Sequence, residues 1–134
     1  MSINIKINKT YQDNNGTLCP VDFNELPFIP KHIFYTKNVP REGVRGQHAH
    51  LKCEQVLICV QGFITVTIYD GLIYTTLCLR NEHCVYVPPM VWSKQCFIDD
   101  NSILLVLSSQ VYDEADYIRD INVFKQLVME RNNE

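Results

Sequence analysis

The sequence predicts an all-β fold, a sandwich or barrel of short strands, carrying one α-helix at its C-terminal end. Short apolar runs recur at roughly even spacing between residues 32 and 108. Turn residues punctuate them, chiefly Gln61-Gly62, Asp70-Gly71 and Pro88-Pro89. Helical spacing of apolar residues begins only after residue 113. With 134 residues, 46% hydrophobic and 20% charged, the chain suits one domain, 1–134, with a true core.

Residues 3–8 alternate isoleucine with asparagine and lysine, as a short amphipathic strand does. Asp13-Asn14-Asn15-Gly16 is a turn, and 17–23 reads as a second strand interrupted by Pro20. Pro27 and Pro30 bracket a non-helical connection, because proline disfavours helix at itself and at the residue before it. Residues 32–35 read as a strand, and 39–46, with Pro40, Gly43 and Gly46, as a loop. The densest β pattern follows: 54–60, then 63–69, then 72–79, the last two joined by Asp70-Gly71, a hairpin signal. Residues 84–87 and 103–108 complete the strands. The acidic 113–116 stretch reads as a first helical turn with Asp113 as N-cap. Ile118, Ile121, Phe124, Leu127 and Val128 continue it as one amphipathic helix packed on the sheets.

Composition excludes several classes. No apolar run approaches the roughly 18 residues that span a bilayer, and the N-terminus lacks the apolar core of a signal peptide, so a cytoplasmic protein with no membrane partner is expected. A net charge of −3 argues against nucleic acid as a partner, since such binding rests on many phosphate contacts. The 6 cysteines contain no Cys-x-x-Cys pair and read as reduced thiols.

The stretch Arg45-Gly46-Gln47-His48-Ala49-His50 departs from this ordinary background. On a strand, His48 and His50 project to one side, roughly 6.6 Å apart along the chain. Arg41, Arg45 and Lys52 surround them with only Glu42 opposing, a cationic window suited to an anionic ligand. Two imidazolium charges at that spacing repel by roughly 2.5 kcal/mol at an effective dielectric of 20. At least one imidazole is therefore expected to be neutral at pH 7 and able to act as a general base.

His-x-His on a strand of a small all-β chain resembles the cupins, and sharpens the expected fold to a cupin-type double-sheet jelly roll with a C-terminal α-helix. Cupins usually complete a metal site with a glutamate and a second-motif histidine. Those frames here hold Gln55 and Ser93. An amide and a hydroxyl are weak, neutral donors, so no metal is expected.

Taken with Glu54-Gln55-Val56-Leu57-Ile58 and Gly62, the Arg45–His50 string resembles the nucleotide-linked sugar 3,4-ketoisomerases. The likeness extends to residues 13–18, 88–92 and 107–119, the last containing Tyr112-Asp113-Glu114-Ala115-Asp116-Tyr117-Ile118-Arg119, and to Phe124. It implies a cofactor-free isomerisation of a dTDP-linked 4-keto-6-deoxy sugar in deoxy-amino-sugar biosynthesis, moving the ketone from C4 to C3 through an enediol. It implies that His48 and His50 transfer the protons and that Arg45 holds the pyrophosphate or the enediolate. Tyr35, Lys52, Gln55, Trp92 and Ser93 join it as expected substrate-binding residues. It also implies a homodimer in which N-terminal strands, here within residues 1–10, exchange between subunits. Two positions depart from the family pattern: Asn15 stands for an arginine and Ser93 for a histidine. A related nucleotide-sugar epimerase and a non-catalytic sugar-binding cupin are the alternative readings.

Overall fold

In the computed structural model, which describes residues 6–7 and 9–133, twelve strands and one helix are ordered as follows. They are β1 (Lys6–Ile7), β2 (Tyr11–Asp13), β3 (Gly16–Leu18), β4 (His32–Thr36), β5 (Gly43–His50), β6 (Gln55–Gln61), β7 (Ile64–Tyr69), β8 (Tyr74–Leu79), β9 (His83–Val87), β10 (Trp92–Phe97), β11 (Ile103–Ser108), β12 (Tyr117–Ile118) and α1 (Ile121–Asn132). One sheet runs β1-β9-β6-β11-β4 and the other β12-β5-β10-β7-β8, while β2 and β3 form a small separate hairpin. Every ladder is antiparallel, so the architecture is the expected double-sheet jelly roll.

Alternation along the strands divides the apolar residues into three layers. Leu57, Cys59, Ile64, Val66, Leu79, Val85, Phe97, Leu104 and Val106 fill the space between the sheets. On the outside of the second sheet, Ala49, Tyr69, Trp92 and Ile118 meet Phe124 and Val128 of α1. On the outside of the first sheet, Val56, Ile58 and Leu107 are covered by Val21, Leu26 and Phe28. Continuous burial of Gln55 to Cys59 follows, since β6 has apolar layers on both faces.

Several boundaries differ from the expected ones. The 39–46 loop ends early, because β5 begins at Gly43 and pairs with β10 along its length. β10 itself carries Ser93, Lys94 and Gln95, whose polarity conceals a strand that alternates buried and less buried positions. Residues 17–23 form only the short β3, then a 3-10 turn at Phe23–Glu25. The helix does not start at 114. Asp113 caps a 3-10 turn, Glu114–Asp116, by accepting the N–H of Ala115. β12 follows, and α1 begins after a second cap, Asp120, which accepts the N–H groups of Asn122 and Val123. Tertiary pairing overrides the local acidic signal here: Tyr117 and Ile118 pair with His50 and Ala49. The hairpin signal at Asp70-Gly71 opens a four-residue connection from β7 to β8, with Asp70 accepting the N–H groups of Leu72 and Ile73. Of the N-terminal strand expected over 3–8, Lys6–Ile7 pairs with Cys84 and His83 of the same chain, and the remainder lies outside the described residues.

Candidate active site

The site is built where β5 ends. Gly46 and Gln47 both take positive φ, 85° and 60°. The pairing with β10 shifts there, so that Arg45 faces Gln95 while His48 faces Ser93. Gln95 and Ser93 share the inner face of β10. The bulge thus lets Arg45, His48 and His50 serve one face despite the odd spacing from 45 to 48. Gly46 is required twice over: its φ is left-handed, and a Cβ there would lie 2.7 Å from Oε1 of Gln95.

The two imidazole rings pack edge to face, centroids 4.9 Å apart. Tyr117 lies against both, 4.8 Å from His48 and 4.4 Å from His50. Behind His50 stands Asp116, a buried carboxylate whose Oδ2 is 3.4 Å from Nδ1 of the ring. Its orientation is fixed by the chain after β5, for Lys52 N–H donates to Oδ1 at 2.9 Å and Cys53 N–H to Oδ2 at 3.1 Å. Burial and then the neighbouring His50 push the His48 pKa down to about 4. Burial also lowers His50, with Asp116 opposing the shift. Both rings are therefore neutral near pH 7.

Across the cleft, the first sheet contributes Gln55, Ser108 and His32, which lie side by side on its inner face. Gln55 donates from Nε2 to Ser108 Oγ at 3.1 Å. The mouth is formed by Gln110, Tyr112 and Asp113. There Arg119 stacks over Tyr117 at 4.3 Å and grips Glu114 through two bonds of 2.7 and 2.9 Å, while the Tyr112 hydroxyl donates to the same carboxylate. That pair of donors holds Glu114 down to about 2.

The expected site residues thus fall into groups. His48, His50, Gln55 and Ser93 come together, with Arg45 exposed on the same strand as the histidines. Lys52 joins through its backbone amide, its side chain being exposed. Tyr35 and Trp92 are not brought to the histidines. Tyr35, 63% exposed, pairs with Leu105 on the outer face of the first sheet. Trp92 is buried under α1, 5.8 Å from Phe124. Asp116, Tyr117, Glu114 and Arg119 are site residues to which the sequence assigns no chemical role, although the 112–119 string is part of the family resemblance.

The cupin ligand frame falls on residues 48, 50, 55 and 93. Gln55 is committed to Ser108, and Ser93 Oγ accepts from Gln95 Nε2 at 3.2 Å. Two imidazoles with a neutral amide and hydroxyl do not fit the metal of that fold.

Comparison with known proteins identifies the family. Residues 1–129 match the family FdtA, described as WxcM-like, C-terminal. The chain is 36% identical over 124 residues to a TDP-4-oxo-6-deoxy-alpha-D-glucose-3,4-oxoisomerase of Aneurinibacillus thermoaerophilus, covering 91% of this chain and 89% of that one. This chain belongs to the sugar 3,4-ketoisomerases. The ketoisomerase fold superimposes on QdtA of Thermoanaerobacterium thermosaccharolyticum, solved with TDP, with a TM-score of 0.90, 30% identity and 96% of each chain covered. A His-to-Asn mutant of QdtA, solved with TDP-4-keto-6-deoxyglucose, superimposes with a TM-score of 0.91 at 29% identity, covering 98% of this ketoisomerase and 97% of the mutant chain.

Proposed function

We propose that the protein moves the ketone of a TDP-linked 4-keto-6-deoxy sugar from C4 to C3, with His50 as the proton-transferring base and His48 as its relay partner. The observation that carries this is the buried Asp116–His50 pair facing the inter-sheet cleft. A carboxylate at Nδ1 favours the tautomer protonated there, leaving the Nε2 lone pair for the substrate. The C4 ketone acidifies the hydrogen on C3. His50 removes that proton, the C3–H electrons form a C3–C4 double bond, and charge collects on O4. Asp116 stabilises the imidazolium. Transfer of the O3 proton and delivery of a proton to C4 then leave the ketone at C3. Hydrogens and electrons balance within the sugar, so no redox partner is needed.

Arg45 and Lys52 are the cations we assign to the pyrophosphate, and Gln55 and Ser93 the polar groups that orient the sugar. A histidine-to-asparagine mutant of QdtA is solved with TDP-4-keto-6-deoxyglucose, which supports the substrate class assigned here. We further propose a cytoplasmic homodimer. Ile29, Ile33 and Tyr35 are 77%, 49% and 63% exposed beside β4, the last strand of its sheet, and such an apolar edge favours a partner.

Incubation with TDP-4-keto-6-deoxyglucose in deuterated water, followed by NMR, tests the reaction. The expected product has its carbonyl at C3 and deuterium at C4. A carbonyl that stays at C4 while deuterium enters C3 and C5 overturns the reading in favour of epimerisation. A sugar that binds unchanged overturns it in favour of a binding protein.

A further inference from the structure

Beside His50 lies a group that proton transfer does not employ. Cys53 follows it by three residues, at the bend after β5, and is 6% exposed. Its Sγ, a carboxylate oxygen of Asp116 and a ring nitrogen of His50 all lie within 4.8 Å of one another. His50 and Asp116 are 6% and 7% exposed. Neither ring nitrogen of His50 makes a hydrogen bond, although both are buried; Nδ1 has only the 3.4 Å approach of Asp116.

A buried imidazole with open nitrogens, beside a thiol and a carboxylate, is a donor set of the kind that holds zinc. Charge favours it as well. A thiolate and a carboxylate together carry −2, so with a neutral imidazole they cancel a divalent cation and leave a buried site without net charge. The scaffold is already in place, since the amides of Lys52 and Cys53 hold the Asp116 carboxylate from the same bend that supplies the thiol. This set shares only His50 with the cupin ligand frame of residues 48, 50, 55 and 93.

We propose that His50, Cys53 and Asp116 bind a thiophilic divalent cation of the Zn²⁺ class, and that the bound ion withdraws His50 from proton transfer. Binding displaces the Cys53 thiol proton to solvent and involves no oxidation or reduction. The coordination stands on the residues above, and only the inhibitory consequence rests on the proposed isomerase reaction.

Co²⁺ added to the chelator-treated, full-length protein tests the site. One equivalent is expected to give a thiolate-to-cobalt charge-transfer band with four-coordinate d–d bands, displaced by Zn²⁺. The band should vanish in Cys53→Ala and persist in Cys78→Ala, whose thiol is exposed on β8. Its absence in the unaltered protein, or its persistence in Cys53→Ala, overturns the site. Ring ¹⁵N resonances of the unaltered chain give a reading that needs no variant: one His50 nitrogen is expected to shift with one equivalent of Zn²⁺, and unchanged resonances overturn the proposal. Turnover is expected to fall about 100-fold with Zn²⁺ and to return with chelator. Full turnover by protein that shows the bound-metal signature overturns the inhibitory part. A chain that binds Co²⁺ as described but never isomerises the sugar refutes the isomerase reading and leaves the site intact.

Discussion

At the scale of residues, Asp116 acts on His50 as a charge 3.4 Å from Nδ1, which favours the tautomer protonated there. Asp116→Asn keeps the shape and removes the charge, so the ring loses its tautomer preference and its imidazolium loses stabilisation. The expected result is a fall in kcat of about 100-fold with KM little changed. Because Asp116 raises the His50 pKa, the acid limb of the pH–rate profile should also move to lower pH in this variant. A variant that alters KM alone would show that Asp116 serves only binding. His48 makes a separate prediction about stability. Its pKa falls from 6.5 unfolded to about 4 folded, so the unfolded chain binds the extra proton between those values. Stability is fully present above pH 6.5 and is lost as pH falls toward 4, by about 3 kcal/mol in all. Urea midpoints measured across this range should decline in the native protein and decline less in His48→Asn. The histidine pair was legible from spacing and charge alone, because a strand of period two declares its faces. Asp116 was not, because it lies 63 positions from the amide it binds and nothing local links the two.

At the scale of elements, the bulge at Gly46-Gln47 is the device that puts charge and histidines on one strand face. Gly46→Ala places a methyl against Gln95 and forces a left-handed φ, at an expected cost of about 1–3 kcal/mol. Its effect on KM should exceed that on the stability of remote elements, since Arg45 loses its register. Thermal unfolding together with KM for the TDP-sugar checks both. Asp120→Ala removes the cap of α1 and should cost about 1 kcal/mol in denaturant unfolding without altering turnover. The apolar strands β6, β7, β9 and β11 were readable within a residue or two, as burial writes their composition. β10 and β12 were not. β10 carries the polar Ser93, Lys94 and Gln95 and is held between β5 and β7, while the two-residue β12 is held by its pairing with β5.

At the scale of the whole molecule, three apolar layers hold two sheets and a helix together, and the site occupies the seam between them. Phe124 is fully buried where α1 meets Trp92 and Tyr69. Phe124→Ala is expected to cost about 3–5 kcal/mol. It should also loosen β12, and with it the Tyr117 ring against the histidines, so amide exchange at Ile118 should accelerate along with the loss of stability. The exposed apolar edge at β4 predicts a dimer by light scattering, and Ile33→Asp, which places a charge on that face, should shift it toward monomer. A sandwich or barrel followed from strand spacing, and the His48-Ala49-His50 resemblance to the cupins made it a jelly roll. How α1 closes it did not, since Asp113 and Asp120 are equally good caps locally and only the pairing of Tyr117 with His50 decides between them.

The bonds from Lys52 and Cys53 to Asp116 span 64 and 63 positions of chain. During synthesis, β5 and its histidines emerge long before their orienting carboxylate exists. The reactive ring is thus unaligned until the segment carrying Asp116 has left the ribosome and docked, which makes competence wait on a contact between distant parts of the chain rather than on the folding of β5 itself.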